Sequence, residues 1–229
     1  MAASTDTMRA TEWRDACQQR ARVYGWFSSL HAAELPAASL ASYLAGEAQT
    51  LLDALSHAGL VDASRRVQTA LGSLRDIPYG QLELAADFAQ LFLLDAKSGA
   101  LPYASCYKND AAQFCGPAEQ RMRSFLEQSS LALQDDFKEP ADHLAIYLAV
   151  MVKLIEQAGK GDTPQVVEAL DQAAFLQDGL MDWLPLFVDK CQRVTPRFDF
   201  YPAVADLLLA FVQQDQLFLQ DVARGRAAM

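Results

Sequence analysis

Large apolar side chains return at spacings of three and four along nearly the whole chain. Trp13, Cys17, Arg20, Val23, Tyr24, Phe27 and Leu30 form one such face, which predicts a long amphipathic helix with Thr11 as its cap. Behind Pro36 the spacing resumes through Leu40, Tyr43 and Leu44, breaks at Gly46, and continues through Leu51, Leu52 and Leu55 to a stop at Gly59. Asp62 is placed to cap a helix carrying Val67, Ala70, Leu71 and Leu74, and Pro78 opens a richer one that runs from Leu82 to Leu94 and ends at Asp95. Further helices are predicted from Pro117 (Met122, Phe125, Leu126 inward), from a Thr163 cap with Pro164 at the first helical position to Gly179, from Leu180 to Val194 with a bend at Pro185, and from Pro202 through Val204, Leu207, Leu208, Phe211 and Phe218. Nothing alternates with a period of two, and no repeat is visible. The chain therefore reads as all-α, a single helical domain in two groups: residues 1–127, a polar hinge or connector at 128–138, and residues 139–229.

One helix differs from the others. Between Phe137 and Met151 the apolar positions cover most of the circumference, which predicts a central helix, yet its head carries Glu139, Pro140, Asp142 and His143. Pro140 suits the first helical position, so the helix is expected to begin near Glu139, with both acids at the positive helix end. Two readings of this cluster stay open. Asp142 and His143 can be a capping carboxylate and a buried imidazole bonded to a carbonyl, or they can be the rim of a binding site. Catalysis by Asp142 and His143 with Ser105 as nucleophile fits poorly, because neighbours on a helix point roughly 100° apart and Ser105 lies in no nucleophile-elbow pattern. The Gly159–Thr163 stretch before a helix lacks the spacing of a phosphate loop and reads as a turn. Residues 96–107 form a loop by their Gly, Pro and Ser content, but one that holds Tyr103 and Tyr107 and little charge.

Composition narrows the partner. With 19 Lys and Arg against 29 Asp and Glu in 229 residues, the net charge of −10 argues against nucleic acid and anionic membrane and favours a cationic partner. No apolar run approaches the roughly 18 residues of a membrane span, and the N-terminus lacks the basic start and apolar core of an export signal, so a soluble cytoplasmic protein is expected. Cys17, Cys106, Cys115 and Cys191 are spread without metal-ligand spacing and read as buried free thiols. An acidic molecule with an aromatic loop (Tyr103, Tyr107), an apolar helix (Phe88, Phe92) and an acid–histidine cluster suits an apolar, basic peptide laid in a groove.

Three stretches together resemble the TorD/DmsD family of redox-enzyme maturation chaperones. Glu139-Pro140-Ala141-Asp142-His143-Leu144 is similar to the family's E-P-x-D-H signature, residues 82–93 resemble its Asp-Phe-containing core helix, and residues 101–107 resemble its P-x-E-S-x-Y loop. Ala104 stands where that loop usually has Glu, so no carboxylate carries over there; the TorD branch is similar in this respect. The resemblance implies a cytoplasmic, non-enzymatic chaperone for the twin-arginine leader and apo form of a molybdoenzyme, trimethylamine N-oxide reductase for the TorD branch. Such a chaperone delays export and assists molybdenum-cofactor insertion. It also implies contact with the molybdenum-cofactor machinery, weak GTP binding with no required cofactor, and a monomer or a homodimer formed by exchange of halves. The positions it carries over are Pro140, Asp142 and His143 from the signature and Pro102, Ser105 and Tyr107 from the loop; Tyr103, Phe88 and Phe92 are added from the groove argument.

Overall fold

The computed structural model of the chain describes residues 8–108, 116–129, 138–158 and 164–225. Within them the chain forms α1 (Ala10–Ala32), α2 (Ala37–Leu44), α3 (Glu47–His57), α4 (Val61–Ser73), α5 (Gly80–Phe88), α6 (Pro117–Gln128), α7 (Leu144–Gln157), α8 (Gln165–Ala174), α9 (Leu184–Arg193) and α10 (Phe200–Ala223). The described residues contain no β-strand, so the all-α expectation holds. Two helices widen at their C-terminal ends into π-helical turns, α5 through Ala89–Leu93 and α8 through Phe175–Leu180. Such turns carry an extra residue and re-aim the side chains that follow.

The expected inner face of α1 is buried residue for residue, from Trp13 to Leu30. It lies against α7, with the Ser28 hydroxyl donating to the Ala145 carbonyl at 2.9 Å. α10 covers α4, α8 and α9, and α2 and α4 flank α3. One continuous core thus includes helices from both sides of the expected connector. Residues 130–137 of that connector, the Gly159–Thr163 turn and Cys115 lie outside the described residues. Cys17 and Cys191 are buried free thiols as expected, while Cys106 is half-buried.

Helix starts depart from expectation by a residue or two, each for a local reason. Arg9 precedes α1 and the Glu12 carboxylate accepts its backbone N–H at 3.0 Å, which leaves Thr11 inside the first turn. Leu60 rather than Asp62 precedes α4. Tyr79 precedes α5 in the left-handed region (φ 59°), and Pro164 sits one place before α8 rather than in it. Met181–Trp183 is a turn, so Pro185 stands in the first turn of a separate α9 instead of bending a longer helix. Phe200 opens α10 two residues ahead of Pro202. Gly46 ends α2 at φ 109°, as a glycine stop should.

Buried polar clamps fix how the helices meet. Arg20 of α1 pairs with Asp215 of α10 through Nε at 2.5 Å and Nη2 at 2.9 Å, and the Tyr24 hydroxyl donates to the same carboxylate at 2.7 Å. Asp87 of α5 accepts the backbone N–H groups of Arg197 and Phe198, each at 2.8 Å, and so ties α5 to the turn before α10. Both aspartates are withdrawn from water. Removing one member of such a pair leaves a buried charge without its partner. Asp215→Ala should therefore cost about 3–5 kcal/mol by urea unfolding, whereas Arg20→Met with Asp215→Leu should recover most of that loss; equal losses in the single and double variants would contradict the pairing argument.

Candidate functional site

The loop at 101–107 and the head of α7 are held together as a short stretch of paired backbone. Tyr103 and His143 form an isolated antiparallel bridge, flanked by Ala104 N–H to the Asp142 carbonyl at 3.1 Å and Leu144 N–H to the Pro102 carbonyl at 2.7 Å. This pairing pulls His143 into extended backbone (φ −69°, ψ 139°), so α7 begins at Leu144 and not near Glu139. Pro140 occupies a turn, its carbonyl accepting the His143 N–H at 3.0 Å, and is not the first helical residue. Asp142 accordingly lies outside the helix, and its side chain and that of His143 are not set 100° apart by helical geometry as expected. His143 is itself the cap: its Nδ1 accepts the Ala145 N–H at 3.1 Å, an imidazole doing what Ser or Asp more often does.

Most of the expected site residues converge on this pairing. Asp142 is 1% exposed, and one of its oxygens, Oδ2, accepts the Ser105 N–H at 2.8 Å. The other, Oδ1, is buried with no hydrogen-bond partner. Ser105 is also buried, its hydroxyl accepting the Gly116 N–H at 3.3 Å. With His143 Nδ1 occupied by a backbone donor and Ser105 sealed in, the cluster offers no exposed nucleophile beside an available base. The Tyr103 ring stands edge-on to His143 with centroids 5.0 Å apart, and its hydroxyl donates to the exposed Glu139 carboxylate at 2.6 Å. Burial, then that hydrogen bond, hold the Tyr103 hydroxyl protonated far above its ordinary range.

Phe88 and Phe92 lie deeper. They pack on each other and on Tyr201 at 5.1–5.6 Å, and His31 and Phe187 close over Phe92. The π-helical turn after α5 aims Leu91 and Phe92 inward, and the chain then folds back so tightly that a Cβ on Gly99 would sit 2.8 Å from the Leu91 carbonyl oxygen. Both phenylalanines are buried, and Phe92 connects to the loop through Phe187, which packs edge-on against Tyr107. Tyr107 stacks on Trp183 at 5.9 Å and donates its hydroxyl to the Leu101 carbonyl at 2.9 Å. It also borders a cavity of about 630 Å³ whose wall includes Lys97, Lys190 and Arg193 against the single acid Asp189. No group of residues able to hold a metal ion occurs among the described residues.

Glu139, expected as a helix-end acid, is the exposed acid of the cluster, and one contributor was not foreseen from the sequence. His31, fully buried on α1, was not singled out at all; its position four residues after Phe27 on the inner face is the available signal, and its Nδ1 bonds the Phe27 carbonyl at 2.8 Å.

Comparison with known proteins identifies the family. Residues 34–189 match the nitrate reductase delta subunit family. The chain is 41% identical over 216 residues to chaperone protein TorD of a Psychrobacter species, covering 93% of this chain and 97% of that one. It is 40% identical to chaperone protein TorD of Photobacterium profundum, covering 88% and 94%, and 37% identical to that of Vibrio parahaemolyticus, covering 88% and 95%. The chain belongs to this family of redox-enzyme maturation chaperones.

Two buried imidazoles give the site a pH signature. Burial pulls His31 down to about 4, and burial together with the nearby His31 pulls His143 down to about 3. Between those values and the ordinary 6.5, the unfolded chain binds protons that the folded one does not, so stability is complete above pH ~6.5 and falls on acidification. Urea unfolding should show a loss of about 3–4 kcal/mol between pH 7 and pH 5, roughly halved in a folded His31→Gln variant; a flat profile would contradict burial of neutral rings.

Proposed function

We propose that this chain is a cytoplasmic chaperone without a reaction of its own that binds the twin-arginine leader and apo form of trimethylamine N-oxide reductase, delaying export while the molybdenum cofactor is inserted. The observation that carries the reading is Asp142: a carboxylate withdrawn from water, fixed through one oxygen by Ser105, with the other oxygen unpaired. An arginine guanidinium has donors in a planar fork and no acceptor, so it supplies what that oxygen lacks. A surface of net charge −10 favours encounter with a cationic leader, an attraction that weakens with salt. The remaining positions have supporting parts: Pro102 and Pro140 shape the paired backbone, His143 caps α7, and Tyr103, Ser105 and Tyr107 set the loop. Among the described residues no helix is long and apolar enough to cross a membrane.

Titration of a fluorescent Arg-Arg leader peptide tests this. Asp142→Asn keeps an acceptor for Ser105 N–H but removes the charge, and should weaken binding about tenfold or more with an unchanged far-UV spectrum. A Lys-Lys leader should lose comparably, because an ammonium cannot replace the fork. Unaltered affinity in a folded Asp142→Asn protein would take Asp142 out of the binding site.

For the weak GTP binding that the family resemblance implies, we propose the cavity beside Tyr107. Lys97, Lys190 and Arg193 line it in a chain that is acidic overall; Arg193 pairs with Asp189 at 2.6 Å, which leaves an excess of positive charge, and Lys190 is steadied by a hydrogen bond to the Ala96 carbonyl. Lys97→Ala with Arg193→Ala should abolish GTP-induced amide shifts around residues 97 and 190 in NMR spectra; shifts that persist would place the nucleotide elsewhere.

A further inference from the structure

We infer that Tyr103 and Glu139 form a latch across the Asp142–His143 pair, and that its opening turns Glu139 into the outer carboxylate of a two-acid receptor for paired guanidinium groups. The inference rests on the proposed reading of this chain as a twin-arginine leader binder, and adds how the buried acid is reached and why two arginines are read.

Asp142 cannot meet a peptide as it stands, being 1% exposed. Beside it stands Tyr103, which is only partly buried, sets its ring edge-on to His143 and donates its hydroxyl to exposed Glu139. Its backbone is fixed by the bridge to His143, so the hydroxyl moves by rotation of the side chain. The charges of both Glu139 and Asp142 act on the Tyr103 hydroxyl, which places the three groups in one cluster. The charge of Asp142 also acts on the Cys106 thiol and the Tyr147 hydroxyl, the latter within reach of Arg121 as well.

Neither carboxylate is in an ion pair among the described residues. Two acids set about one neutral hydroxyl are a poor resting arrangement and a good receptor, because a guanidinium offers each a charged, bidentate partner. The exchange is also ordered. Glu139, in water, takes the first guanidinium; Tyr103, released from Glu139, uncovers Asp142 Oδ1 for the second. A leader with one arginine could satisfy only one of the acids.

Stopped-flow binding of the fluorescent Arg-Arg leader separates the parts. Tyr103→Phe keeps the ring against His143 but removes the bond to Glu139, and should raise the association rate about fivefold. Glu139→Gln keeps an acceptor for Tyr103 but removes the charge, and should lower affinity about tenfold while leaving a single-arginine leader's affinity for the variant close to that of the twin. Without any peptide, exchange of the Ser105 amide hydrogen, bonded to Asp142, should quicken in Tyr103→Phe. If the leader binds the wild-type chain and depends on Asp142, but Tyr103→Phe leaves both the association rate and Ser105 exchange unchanged, or Glu139→Gln leaves affinity unchanged, the latch is overturned and the binding reading stands. Failure of the leader to bind the wild-type protein overturns both.

Discussion

Two segments of extended backbone, one around Tyr103 and one at His143, satisfy each other's N–H and C=O groups in a protein otherwise made of helices. That pairing decides where α7 can start. A buried helix of this kind brings unpaired backbone donors into the core, and here they are met by the Pro102 carbonyl and the His143 ring rather than by water. The same pairing orders a loop whose Gly, Ser and Pro content would otherwise leave it loose, and seats that loop on the aromatic cluster of Phe92, Phe187 and Trp183. From α7 the constraint passes to α1, which lies along it, and through the Arg20–Asp215 clamp to α10 at the other end of the chain.

Three buried aspartates show how structure and function part company. Asp215 has both oxygens engaged, by Arg20 and Tyr24, and Asp87 has both engaged, by Arg197 and Phe198 N–H groups. In each, both carboxylate oxygens have donors that offset the cost of burying the charge, although Arg20 Nη1 is itself left bare. Asp142 has one oxygen completed and one bare. All three are buried to a similar degree, so exposure does not account for the difference in hydrogen bonding. Asp142 shares that incompleteness with a few other buried polar atoms, among them Arg20 Nη1 and the Gln172 amide, but it alone among these three aspartates has a bare oxygen.

The fold class and much of the core were readable directly, because a helix's buried face repeats in the sequence that makes it. Every residue from Trp13 to Leu30 assigned to the inner face of α1 is buried, and Gly46, Gly59 and Pro117 stop or start helices where their backbone preferences require. The π-helical turns at Ala89–Leu93 and Phe175–Leu180 were not readable, because each keeps a helical apolar spacing; the close approaches beside them, of Gly99 to the Leu91 carbonyl and of Gly179 to the Tyr147 ring, involve residues outside the local repeat.

The site divided the same way. Glu139, Pro140, Asp142 and His143 stood out as a polar cluster before an apolar run, and that composition was enough to direct attention to the head of α7. It was not enough to say that Pro140 is a turn residue, that His143 is the cap, or that Asp142 faces Ser105. Those facts come from hydrogen bonds to a loop far back along the chain, and hydrogen bonds across such a separation leave no period in the sequence. Local spacing determined which helices form and which faces they bury; only the tertiary pairing of residues 102–105 with 142–144 decided which of Asp142's oxygens is satisfied and which is left bare, because that depends on a partner the local chain cannot supply.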